Sequence, residues 1–223
     1  MPQQVVLANA RIVEVNQQSF PDLYFALRGG GNNFGIVARF DLETFPQGQM
    51  WGGMTYYPIT ANASLLSALE DFAVNAPTDP DAALIVAFAY ADGEYVAATD
   101  IEYAKPIVGP PIFQEFMDIE SIASTLRITT LSNLTEELKT ANPSGFREFY
   151  STATFKNTPN LQNQILELFV SEVNNIKDAE GILPALVLQP ITTDVISHFS
   201  KNSGNALGVT ESDGPLICKL ISF

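Results

Sequence analysis

Residues 27–40, from Leu27 to Phe40, read "LRGGGNNFGIVARF". Three consecutive glycines, two asparagines and a further glycine, Gly35, stand directly before an apolar run. Just upstream, "SFPDLYFA" has the marks of a helix start. Ser19 sits where a cap is wanted, Pro21 falls in the first turn, and Asp22 lies where the helix dipole favours an anion. Leu23, Ala26 and Leu27 share one face of that helix. The glycines end it, and Ile36–Thr44 is predicted to be a strand. The order is therefore helix, glycines, strand. Dinucleotide sites and P-loops run strand, glycines, helix, so that a helix N-terminus meets the phosphates. The spacing fails as well. Counting from Gly29 the sixth residue is Phe34, and Ile36 follows Gly35 where a P-loop requires lysine. Two readings remain: a helix C-cap with a tight connection to a buried strand, or a loop whose backbone comes close to something flat or bulky. Glycine permits close approach and positive φ, and asparagine tolerates the left-handed region.

The surrounding composition narrows the function classes. The chain has 223 residues, 46% of them hydrophobic and 16% charged, which suits one large or two small folded domains. Net charge is −14, so a nucleic-acid partner and an anionic membrane surface are both disfavoured. The longest apolar run, Ala82–Ala91, falls well short of the ~20 residues a spanning helix needs and reads as a buried strand. The N-terminus lacks the basic and apolar segments of a signal peptide. Cys218 is the only cysteine and His198 the only histidine. An internal disulfide, a cysteine- or histidine-rich metal site and a Cys-His dyad therefore have nothing to be built from, and no metal site is expected. No G-x-S-x-G accompanies His198, which reads as a surface residue near a helix end.

Val5–Ala8 and Ile12–Val15 are predicted strands joined at Asn9-Ala10. "FPQGQMWGG" breaks the chain near residue 48, which divides it into a first domain over 1–48 and a second over 49–223. In the second, Ala63–Ala76 is a helix with Leu65, Leu66, Leu69, Phe72 and Ala73 on one side. Ala83–Ala91 and Glu94–Ala104 are strands joined by Asp92-Gly93, a hairpin signal. Leu84, Val86, Phe88 and Tyr90 share one face of the first of these. Ile85, Ala87 and Ala89, mostly small, form the other, against which a helix or a ligand fits closely. Further elements are a short helix over Asn133–Thr140 ended by "NPSG", a strand over Phe146–Phe155 and a helix over Leu161–Lys177. In that last helix Leu161, Ile165, Leu168, Phe169 and Ile176 are aligned. Leu183–Ile191 is a strand and Asp194–Phe199 a short helix. "GPLICKLISF" looks like a strand entered with nothing after it to pair or cap.

"FPDLYFALRGGGNNFGIVARFDLETFP" resembles the end of the FAD-binding domain of the berberine bridge enzyme-like flavoproteins, which have the vanillyl-alcohol oxidase, or PCMH-type, flavin fold. The residues that carry the resemblance are Pro21 to Tyr24, Ala26 to Gly31 and Asn33 to Val37. Phe25 stands where tryptophan is usual, and Asn9-Ala10 where the family has Asp-Gly. "LQPI" and "GNALGV" look like the substrate domain of fungal members. The match is specific over the first ~45 residues and mostly topological beyond them.

The resemblance implies an α+β fold: the C-terminal end of a PCMH-type FAD-binding domain, then a substrate domain whose antiparallel sheet is covered by helices. It implies FAD as cofactor and a small-molecule substrate such as a sugar, an alcohol or a secondary metabolite. The reaction would pass a hydride from substrate to flavin N5, with O2 as acceptor. Gly31, Asn33, Gly35, Ile36 and Val37 would lie beside the flavin. Substrate would sit on the flavin's other face, against a sheet that includes Leu183–Ile191. On that strand Gln189 shares a face with Ala185 and Val187 and is the substrate-side candidate, a backbone-satisfied glutamine being the alternative. The family's pyrophosphate loop and flavin-bonding histidine find no counterpart here, so a fragment of a longer oxidase is expected. No motif marks a catalytic residue among Tyr56, Tyr57, Tyr90, Tyr95, Tyr103 and Tyr150. A non-catalytic binding module derived from such an enzyme is the alternative.

Overall fold

The computed structural model describes residues 3–141, 145, 147–158 and 160–222. Strands β1 (Gln3–Val6) and β2 (Ile12–Val15) are followed by helix α1 (Pro21–Leu27) and strand β3 (Ile36–Phe40). Then come β4 (Met50–Pro58), α2 (Asn62–Asn75), β5 (Ala82–Ala91), β6 (Glu94–Tyr103), α3 (Gln114–Met117), β7 (Ala123–Ser124) and β8 (Arg127–Thr129). The chain continues through α4 (Leu131–Ala141), β9 (Tyr150–Lys156), α5 (Leu161–Asn174), β10 (Ala185–Ile191), α6 (Thr193–Ser197) and β11 (Leu216–Ser222). The whole forms two compact units. Residues 1–46 with 194–213 make the first, and 47–193 with 214–223 the second. Segment 194–213, which the sequence reading assigns to the second domain, thus belongs to the first unit.

In the first unit β1 is the middle strand of an antiparallel sheet ordered β2-β1-β3. Its packed face is Val5, Val13 and Val15, closed by Tyr24 of α1 with Leu23 and Leu27 beside it. Helix α1 is thus seated chiefly by Tyr24 rather than by Ala26. Its start also differs from expectation. The N-cap is Phe20, in the left-handed region at φ 59°, and no side chain caps the helix. Ser19 lies one residue too early, and its N–H donates to Asn16 Oδ1 at 2.9 Å. An Asx turn at Asn16 organises this entry in place of a serine cap.

The second unit is built on a mixed-length antiparallel sheet ordered β7-β4-β6-β5-β10-β11-β9, with β8 also paired to β4. The β5–β6 hairpin turns at Asp92-Gly93, both at positive φ (52° and 86°), the conformation of a type I′ turn whose twist matches the strands. Leu84, Val86 and Phe88 of β5, Ala97 and Ile101 of β6, and Leu186 and Leu188 of β10 point to one face. There they meet Leu65, Leu66, Leu69 and Phe72 of α2 and Leu166, Phe169 and Val173 of α5. Phe113 adds an aromatic cluster, stacked on Phe72 at 5.6 Å and tilted against Trp51 at 6.2 Å.

Three expectations change here. The buried face of α5 is Gln162, Leu166, Phe169 and Val173, while Leu168 is exposed. Of the expected stripe Leu161, Ile165, Leu168, Phe169 and Ile176, Phe169 is buried and Ile165 packs against the core, while Leu168 and Ile176 are exposed; Gln162, donating to Asn157 Oδ1 at 2.8 Å, takes a buried place on this face. β11 is an interior strand, paired to β10 on one side and β9 on the other, so it is fully partnered. β9 starts at Tyr150, and its expected start at Phe146 lies outside the described residues, as does most of the "NPSG" that would end α4.

Phe88 is fully buried on an interior strand beneath both helices. Phe88→Ala is expected to destabilise the second unit by about 3–5 kcal/mol, read as a lower urea midpoint with unchanged slope.

Candidate functional site

The glycine stretch folds as a compact turn. Gly30 N–H donates to Ala26 O at 2.8 Å and closes the end of α1. Asn33 Nδ2 donates to Gly30 O at 2.7 Å. Gly31 has φ 70° and Gly35 φ 148°, where an L side chain is strained. A Cβ on Gly35 would lie 2.7 Å from Val6 O and 2.9 Å from Val5 Cγ1, and one on Gly29 would lie 2.8 Å from Leu207 Cγ. At Gly35 and Gly29 the chain's own neighbours account for the missing side chain.

What the turn leaves behind is a shallow open concavity of about 750 Å³. Leu27, Gly31, Gly35, Ile36, Val37 and Phe40 are among its lining, which carries no charged side chain. Ile36 and Phe40 are strongly exposed, 72% and 59%. Four of the five flavin-side candidates, Gly31, Gly35, Ile36 and Val37, are therefore brought together on one wall. Asn33 is not on that wall; its amide is used to hold the turn.

Arg28 secures the loop from behind. Its guanidinium lies 4.2 Å from the Tyr24 ring centre and donates to Lys201 O at 3.2 Å and Asn202 O at 2.6 Å. Ala206 N–H donates to Arg28 O at 2.8 Å. Segment 194–213 is tied to the first unit through this residue. The sequence signal for it, a basic residue ahead of the glycines, names no partner, because the acceptors are backbone carbonyls far along the chain.

In the second unit, the sheet face away from α2 and α5 carries Val187 and Gln189 of β10, Ile85, Ala87 and Ala89 of β5, Ala98 and Asp100 of β6, and Met54 and Tyr56 of β4. The register aligns Val187, Ala87, Ala98 and Tyr56 in one row across four strands. The adjacent row holds Ile85, Asp100 and Met54. Gln189, two residues beyond Val187 and exposed, belongs to that second row and pairs with Cys218 of β11. At the β4 end, α4 lies on this same face, with Leu134 against Gly52. Glu137 of α4 accepts from Arg127 at 2.6 Å and from the Thr125 hydroxyl. Burial pushes the Asp100 carboxyl up to about 7, with smaller repulsion from Glu102 and Glu137. Burial also raises Glu102. Asp100 carried no motif, and only the strand pairing reveals its place beside the small residues.

The other candidate groups serve the fold. The Tyr57 hydroxyl donates to Phe116 O, Tyr95 to Val170 O, Tyr103 to Asp79 and Tyr150 to Glu148. Of the six tyrosines considered, Tyr56 and Tyr150 stand on the open face, Tyr150 at its β9 edge in register with Ser222 and Ala185. His198 Nδ1 lies 2.9 Å from both Ser197 Oγ and Asp194 O at the end of α6. Among the described residues no group of three or more His, Cys, Asp or Glu is placed to hold a metal ion, and no helix is long and apolar enough to cross a membrane.

The fold is shared with solved protein structures. A 6-hydroxy-D-nicotine oxidase from Arthrobacter nicotinovorans superposes with a TM-score of 0.63 at 14% identity, covering 100% of this chain and 48% of that one. A carbohydrate oxidase from Microdochium nivale gives 0.56 at 21% identity, over 100% and 49%. No family model matches the chain. Among curated proteins, an FAD-dependent monooxygenase of Fusarium proliferatum is 37% identical over 96% of this chain and 44% of its own length. One from Cochliobolus heterostrophus is 38% identical over the same shares. Another, from Phaeosphaeria nodorum, is 30% identical over 95% of this chain and 67% of its own. The chain belongs to the berberine bridge enzyme-like FAD-linked oxidoreductases, in their fungal form. It is α+β, the end of a PCMH-type FAD-binding domain followed by an antiparallel substrate-domain sheet covered by helices. It spans less than half the length of the first two relatives.

Two outcomes follow from the site's physics. Gly35→Val is expected to reduce folded yield and melting temperature of this chain even without flavin, because Val6 O and a positive φ both exclude the side chain. Asp100 binds more protons folded than unfolded between its ordinary range and about 7, so stability falls as pH rises through that window. Asp100→Asn is expected to melt higher than the parent at about pH 8, by on the order of 2 kcal/mol after allowance for partial exposure. Thermal melts across pH check both.

Proposed function

We propose that this chain serves an FAD-dependent oxidoreductase acting on a small organic substrate, a sugar, an alcohol or a secondary metabolite, with O2 as the acceptor. The observation that carries it is the 37% identity over 96% of the chain to an FAD-dependent monooxygenase. The names of the fold neighbours, oxidases among them, support oxygen as acceptor.

The residues fit one part of the cofactor. The concavity at Gly31, Gly35, Ile36 and Val37 is apolar, backbone-walled and open, as a flat isoalloxazine ring requires. A bound flavin would supply the two-electron acceptor for the reaction. Gly35 holds β3 close against β1, which keeps this wall rigid. On the substrate side Gln189, exposed on its strand, offers an amide donor and acceptor to hydroxyl groups. The small side chains of Ala87 and Ala98 leave room for a ring above them. A diphosphate, by contrast, finds no cation in the concavity's lining, and the chain's net charge is −14.

One-sided contact supplies only a fraction of the roughly 8 kcal/mol that micromolar affinity needs. FAD titrated into the purified chain is therefore expected to show no saturable fluorescence quenching at or below micromolar concentration. Grafted in place of the segment it matches in the Fusarium proliferatum relative, the chain should give a protein that keeps its yellow colour through desalting. A folded but colourless graft would refute the flavin reading and favour a non-catalytic binding module.

A further inference from the structure

Asp100 sits in the row between Met54 and Ile85, on the face away from α2 and α5. Along its own strand it is flanked by Ala98 and Glu102. Across the β4 edge, α4 contributes Glu137, whose charge reaches Asp100. The cation beside Glu137, Arg127, is committed: Nη1 donates to Glu137 at 2.6 Å and to Thr125 O at 3.0 Å. Among the described residues Asp100 has no hydrogen-bond or ion-pair partner. A carboxyl without a partner, set between a methionine, an isoleucine and two other carboxyls, weakens the fold, and an apolar side chain would pack there better. Its use lies in whatever meets this face.

By continuation of the β10–β5 ladder, which ends at Leu188 opposite Val86, Gln189 falls in the same row, one strand beyond Ile85. With strands ~4.8 Å apart, Asp100 and Gln189 stand roughly 10 Å apart across the sheet. Between and beside them the surface is Ile85, Ala87 and Ala98, flat and uncharged, with Tyr56 at the margin. That is a floor for one ring with a polar group at each end.

We propose that Asp100 is the proton acceptor of the reaction, receiving the hydroxyl proton of an alcohol substrate laid on this floor with Gln189 holding its far end. The assignment rests on the flavin-dependent oxidation proposed above. The Asp100 carboxylate takes the proton as the O–H bond breaks, and that electron pair becomes the second bond of the carbonyl. The C–H bond breaks with its pair, which leaves as hydride to the flavin, the oxidant. The alcohol loses two electrons and becomes the carbonyl compound; Asp100 is left as the neutral acid and returns its proton to water. Burial, and to a smaller extent Glu102 on its own strand and Glu137 from α4, raise its proton affinity. A carboxylate that holds its proton near neutrality is a stronger base than an ordinary aspartate and is still ionised at working pH.

Two measurements decide it. In the full chain, carboxyl NMR should show Asp100 titrating with a midpoint of about 7, and Glu137→Gln should lower that midpoint. In the yellow graft, with benzyl alcohol and glucose as probes, kcat/KM should rise tenfold per pH unit below the midpoint and level off above it. Asp100→Asn should cut kcat/KM by roughly 10²–10⁴-fold and abolish the acid limb, with flavin content unchanged. An ordinary midpoint near 4, or an Asn variant that keeps its rate and acid limb, overturns the assignment and leaves the flavin reading standing. A yellow graft that oxidises neither probe also counts against it. A colourless graft overturns the flavin reading and the assignment together, and is told apart because the titration needs no flavin.

Discussion

The second unit depends on one constraint: β5, β6 and β10 place most of their large apolar side chains on a single face. A strand's side chains alternate, so Leu84, Val86 and Phe88 must lie together, as must Leu186 and Leu188. Helices α2 and α5 can pack only where that apolar surface is. The small residues Ala87, Ala89 and Ala98 are then left on the opposite face, with Gln189 and Asp100 among them. A register slip of one residue on any of these strands would exchange the two faces. The packed core and the proposed substrate floor are two sides of the same alternation.

Charge is distributed with equal consequence. The chain carries 11 Lys and Arg against 25 Asp and Glu. Several of the few cations are already engaged: Arg28 with Tyr24 and two carbonyls, Arg39 with Glu14 and Asp41, Lys105 with Asp81, Arg127 with Glu137. The surface pairs add little stability. Their effect is to leave carboxyls such as Asp100 without a counter-charge, and the glycine concavity without a cation for a diphosphate. Burial then raises the Asp100 carboxyl, uncompensated by a counter-charge, into the range where it exchanges protons near neutral pH. The lack of a cation in the concavity confines the chain's proposed share of flavin binding to the ring.

The glycine loop shows how packing and function coincide at one place. Gly35 is required by β1, whose Val6 carbonyl occupies the space of a side chain. That same close approach exposes the backbone of residues 35–37 along an apolar wall. A helix cap and a ligand-facing loop are therefore not competing descriptions of the stretch, since the compact turn is what makes the wall. Asn33 belongs to the turn alone.

The sequence by itself determined much of this. The helix–glycine–strand order excluded phosphate-binding loops and, with "PDLYFALRGGGNNFGIV", identified the flavin family. Period-two alternation located β5, its small-residue face and the hairpin at Asp92-Gly93, because these are local consequences of the backbone. Tertiary structure decided the rest. Gln162, bonded to Asn157, took a buried place on α5 beside Leu166 and Phe169, and Asn16 rather than Ser19 organised the start of α1. β11 found partners on both sides, and segment 194–213 returned to the first unit through Arg28. Asp100 gained its character only when β6 was placed between β4 and β5 and α4 brought Glu137 near it. Each of these depends on residues far apart in sequence, where periodicity and propensity carry no information and the pairing of strands carries all of it.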